Sequence, residues 1–106
     1  MEYRELKQRI INHYGAEHQL AKAIEEQTEL IHVIVRRLQS GKWDKAAFCE
    51  ELADVYAMLD QVRLIYCQEN NIALGNLNTR LGHEMEAKLN RTEQQMYHKL
   101  ATGGKP

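Results

Sequence analysis

A chain of 106 residues has room for one hydrophobic core, and much of its apolar surface stays exposed unless it associates with further copies. Hydrophobic residues make up 43% and charged residues 27%, an ordinary globular balance. The formal net charge of -1 gives no electrostatic case for a nucleic-acid polymer or a membrane surface, so a polyanionic partner has to be small.

A single proline, at Pro106, and the lack of any useful stretch of strand-type alternation argue for long uninterrupted helices. Gly15, the pair Ser40-Gly41 and the pair Asn70-Asn71 divide the chain into four helical segments. The first, about 3–13, carries Leu6 and Ile10 on one side. In the second, about 17–39, Leu20, Ile24, Ile31 and Leu38 recur at helical intervals, and Gly41 is placed to end it. The third, about 44–69, has Asp44 as its N-cap and a seam of Phe48, Leu52, Val55, Leu59, Val62 and Tyr66. The fourth, about 74–100, has Leu77, Leu81, Met85 and Leu89 at every fourth position in polar surroundings, so it depends on a partner.

These segments predict an all-α fold, an antiparallel bundle of about four helices. One domain is expected over 1–101, followed by a flexible tail at 102–106. No apolar signal-type segment or membrane span is found. Cys49 and Cys67 fall on one helix about 27 Å apart, too far for a disulfide within the chain, so both are expected reduced and structural, as in the cytoplasm.

The chemistry is concentrated in two acidic runs, Glu25-Glu26-Gln27-Thr28-Glu29 and Glu50-Glu51-Leu52-Ala53-Asp54. Glu26/Glu29 and Glu51/Asp54 are each spaced i, i+3, so each pair projects from one helix face. On antiparallel helices the pairs can converge, and four converging carboxylates repel unless a cation lies between them. Hard oxygen ligands of this kind suit Mg²⁺ or Mn²⁺. Composition alone reads the same acids as a solvated helix face. Geometry argues otherwise for Glu51 and Asp54, whose stripe also holds Ala47, Met58 and Ile65; acids set in an apolar stripe are costly to bury uncompensated. Glu26 and Glu29 turn away from the Ile24/Ile31 stripe and share their side with Lys22 and Val33. Their role needs a second packing surface, for instance another subunit.

The runs Glu25-Glu-Gln-Thr-Glu-Leu30 and Glu50-Glu-Leu-Ala-Asp-Val55 resemble the EExxE and ExxD motifs of the all-α, MazG-like nucleotide pyrophosphohydrolases. The order of the motifs and the helix-loop-helix between them match over roughly the central half of the chain, and Lys88-Leu-Asn-Arg91 resembles a basic stretch that follows in many members. The resemblance implies Mg²⁺ on Glu26, Glu29, Glu51 and Asp54. It leaves Glu25 as a further acid: an outer partner of the ligands, a ligand of another metal, or a base for water. It also implies hydrolysis of an NTP or dNTP between the α- and β-phosphates, in a homodimer or homotetramer. Lys88 and Arg91 are then candidates for the phosphate oxygens, or simply a solvated face, and Lys22 either binds phosphate or relieves carboxylate repulsion.

Three other readings are weighed against this one. A phosphoribosyl-ATP pyrophosphohydrolase shares the resemblance, and a non-enzymatic helical module would use its acids only for solubility. Glu29-Leu-Ile-His32 matches the ExxH element of di-iron bundles, which need it twice. His13, His18, His83 and His98 show no zinc-type spacing. Trp43 and Tyr56 are candidates to stack on a base, although core or interface is the commoner place for a bundle aromatic. There is no glycine-rich phosphate loop.

Overall fold

A computed structural model describes residues 3–103, in which the chain is all-α: α1 (Arg4–Tyr14), α2 (Ala16–Ser40), α3 (Lys45–Asn70) and α4 (Leu74–Ala101). All four expected segments are present, with ends shifted by a residue or so. No strand occurs among the described residues. No helix is long and apolar enough to cross a membrane. Residues 104–106 of the expected tail lie outside the described residues, as do Met1 and Glu2.

The helix ends follow from local chemistry. Gly15 alone separates α1 from α2, with φ 90° and ψ 152°, a backbone region that residues with a Cβ scarcely enter. Gly41 closes α2 in the left-handed conformation (φ 76°), its N–H donating to the carbonyl of Arg37 at 2.8 Å. Asp44 caps α3 as expected, its side chain accepting from the Ala47 N–H at 3.1 Å. Asn71 ends α3 with φ 53°. In the connection between α2 and α3, Trp43 packs on Phe48 with ring centroids 5.1 Å apart, and the Arg37 guanidinium lies 5.9 Å from the Trp43 ring centre.

One unit comprises α1–α3, and α4 forms the other. In the first, α2 and α3 run antiparallel along most of their length. Gln19 of α2 donates to Gln61 of α3 at 2.7 Å, and seven residues further along α2 Glu26 meets Asp54, seven residues back along α3. The α2 side of the seam is Gln19, Ala23, Glu26, Leu30 and Val33, alternating steps of four and three as in helices packed at a shallow angle. Helix α1 crosses the open end of this hairpin. It buries Ile11, pairs Lys7 with Asp60 at 2.7 Å and accepts a hydrogen bond from Gln68 on Gln8. The second unit is α4, 28 residues long, carrying Leu77, Leu81, Met85 and Leu89 at successive fourth positions.

Two expectations about the core need correction. The α2 stripe of Ile24, Ile31 and Leu38 is not the one that packs on α3; these residues are 68%, 55% and 71% exposed, and only Leu20 is half-buried. In α3 the buried residues are Val55, Met58, Gln61, Leu64, Ile65 and Cys67; of the expected seam Val55 alone is among them, and Tyr66 is exposed. Helix α2 has two stripes, and the one that turns inward is more polar. Cys49 and Cys67 are both free, but only Cys67 is buried, so the structural role expected for Cys49 is not met.

Candidate metal centre

The inward stripe of α2 decides the geometry of the acids. Glu26 occupies a seam position between Ala23 and Val33 and is only 6% exposed. Across from it, Glu51 and Asp54 sit one turn apart on α3, Glu51 half-buried and Asp54 toward solvent. One carboxylate oxygen from each of Glu26, Glu51 and Asp54 lies within 4.8 Å of the other two. The second packing surface required by Glu26 is therefore α3 of the same chain, and no other subunit is needed to bring these three together. Glu29, half-buried one turn further along α2, adjoins Glu51 through a shared hydrogen bond. All four acids of the expected ligand set thus lie in one layer of the hairpin, three of them around a single point.

The electrostatics of this layer are strained. Burial pushes the Glu51 carboxyl up to about 7, helped by the hydrogen bond with Glu29 and by the charges of Glu29, Asp54 and Glu26. Asp54 is raised as well, by burial first and then by the charge of Glu26 and a hydrogen bond with it. The Lys22 ammonium lies 3.1 Å from Glu26 Oε1 and 3.8 Å from Glu25 Oε2, and those contacts raise its pKa. Lys22 answers one oxygen of Glu26. The other, Oε2, is buried without a hydrogen-bond partner, as is Glu51 Oε2.

Buried carboxylate oxygens without a donor are costly, and two in one layer leave a cation-shaped deficit. The donor set, all carboxylate oxygen, suits a hard divalent ion and offers nothing to a soft one.

The other expected site residues are placed less decisively. Glu25 stands exposed on the outer side of α2 and touches the layer only through Lys22. Lys88 and Arg91 are exposed one turn apart on α4. Tyr56 points to solvent, and Trp43 is held between Arg37 and Phe48. His32 is exposed, and among the described residues no histidine joins a metal-type cluster. The sequence reading passed over the buried pair Gln19–Gln61, although each glutamine stands seven residues from an acid of the cluster, at an equivalent helical position.

No family model, curated protein or solved structure matches the chain.

Proposed function

We propose that the chain is a Mg²⁺-dependent nucleoside triphosphate pyrophosphohydrolase, converting an NTP or dNTP to its monophosphate and pyrophosphate. The observation that carries the reading is the meeting of Glu26, Glu51 and Asp54 within 4.8 Å, with buried, unpartnered oxygens on two of them. Resemblance of the two acidic runs to the EExxE and ExxD motifs supplies the reaction class.

In this reading Glu26, Glu51 and Asp54 hold the cation and Glu29 completes the layer beside Glu51. A divalent ion there would neutralise phosphate charge and acidify a water near neutral pH. Lys22 holds the Glu26 carboxylate by taking its Oε1, which leaves the buried Oε2 without a partner and available to a cation. The exposed edge at Asp54 would be the side open to the triphosphate, with Val33, Val55 and Met58 buried in the same hairpin. The resemblance leaves Glu25, which reaches the layer only through Lys22, as a candidate to take up the proton of the attacking water. Cleavage of the α–β anhydride then releases pyrophosphate.

Thermal denaturation with Mg²⁺ and a non-hydrolysable triphosphate tests this directly. The wild-type protein should gain stability, since a ligand that binds only the folded state raises the melting temperature. Glu51→Gln should lose that gain. A helical interaction module would show no ligand effect in either protein.

A further inference from the structure

The acid layer is not the only polar layer in the α2–α3 seam. Gln19 and Gln61 are 4% and 5% exposed, and the Gln19 Nε2 donates to Gln61 Oε1 at 2.7 Å. The remaining amide groups are partly answered: Gln19 Oε1 lies 2.7 Å from His18 Nδ1, and Gln61 Nε2 lies 3.8 Å from Met58 Sδ. Two buried amides in a helix seam cost desolvation that leucines would not. A buried polar pair of this kind is best attested as a device that fixes register between helices.

Its position gives the device an object. Gln19 stands seven residues before Glu26, and Gln61 seven residues after Asp54, so the two layers are about 10 Å apart along the same seam. The Gly41–Asp44 connection ties α2 to α3 on the far side of the acids, and the glutamines tie them on the near side. Apart from the hydrogen bonds among the carboxylates themselves, Gln19–Gln61 is the one side-chain hydrogen bond between α2 and α3 among the described residues. The competing arrangement is a rotation of α2, because Ile24, Ile31 and Leu38 form a more apolar stripe that stays outside. Apolar packing has no direction and would accept either face; a hydrogen bond accepts one.

We propose that Gln19 and Gln61 are positioning residues for the metal centre: their hydrogen bond fixes the facing of α2 on α3 that brings Glu26 to Glu51 and Asp54. The proposal rests on the metal reading of those acids. The test replaces both amides by apolar groups, in Gln19→Leu/Gln61→Leu of the full chain, and follows three quantities. Helicity and melting temperature of the metal-free protein should be at least those of the wild type. The Kd for Mn²⁺ should weaken severalfold, because Glu26 would no longer be held against Glu51 and Asp54. Spin labels at Thr28 and Ala53, in a Cys49→Ser/Cys67→Ala background, should give a narrow distance distribution with the glutamines and a broadened or shifted one with the leucines.

Unchanged Mn²⁺ affinity together with an unchanged label distribution would overturn the proposal. So would loss of the fold in the leucine protein, because the pair would then be a requirement for folding rather than for facing. A wild-type protein that binds no Mn²⁺ removes the metal reading alone, and the label distances still decide whether the glutamines set the facing.

Discussion

Competition between a proton and a cation at Glu51 gives the account a quantitative consequence. Its carboxyl is pushed up to about 7, first by burial and then by Glu29, Asp54 and Glu26. A divalent cation binds the ionised form, so each binding event in the protonated population displaces one proton. Apparent affinity then follows the ionised fraction of Glu51. Relative to its alkaline limit it should be about twofold weaker at pH 7, about tenfold weaker at pH 6 and about a hundredfold weaker at pH 5. The raised pKa of Asp54 steepens the acid end further. Titration of free Mn²⁺ by electron paramagnetic resonance at a series of pH values measures this. In Glu51→Gln the residue cannot ionise, so between about pH 6 and 8 the weak binding that remains should depend on pH much less than in the wild type, with only the acid-end contribution of Asp54 left. A wild-type Kd that is flat across that range, or the same slope in the Gln variant, would refute the reasoning.

The same raised carboxyls affect stability with the opposite sign. A folded-state pKa above the unfolded value stabilises the fold at pH below the ordinary carboxylate range, and that contribution is lost as pH rises through the folded pKa. The metal-free melting temperature should therefore fall between about pH 4.5 and pH 7.5, and Mg²⁺ should restore it at the upper end, both readable by circular dichroism. Gly15→Ala should cost about 1–3 kcal/mol in urea denaturation, through backbone strain alone, because a Cβ there meets nothing within 4 Å. Ile65→Ala, at a core position 2% exposed, should cost about 2–5 kcal/mol in the same assay.

Much of this was legible from the chain itself. Gly15, Gly41, Asp44 and Asn71 mark helix ends through backbone conformation and capping, both local properties, and the four helices lie where those residues put them. Glu51 and Asp54 stood out because they interrupt an apolar stripe; of that stripe Met58 and Ile65 are buried and Glu51 half-buried, while Asp54 faces solvent. The facing of α2 was not legible. Periodicity shows that a helix has an apolar side, but α2 has two candidate sides, and burial area alone favours Ile24, Ile31 and Leu38 over Ala23, Glu26 and Val33. The choice depends on a contact 42 residues away in sequence, between Gln19 and Gln61, and on acids that are unfavourable to bury by themselves. For that reason Glu26, whose burial was the least expected, is the residue whose geometry now says most about the site.

The central claim is that four acids in one layer serve the hydrolysis of a nucleoside triphosphate. Purified protein incubated with Mg²⁺ and a panel of NTPs and dNTPs, with products separated by anion exchange, tests it most directly. The account predicts monophosphate and pyrophosphate in equal amounts from at least one nucleotide, and no products from Glu51→Gln. Release of orthophosphate, or no turnover of any nucleotide by the wild-type protein, would contradict it.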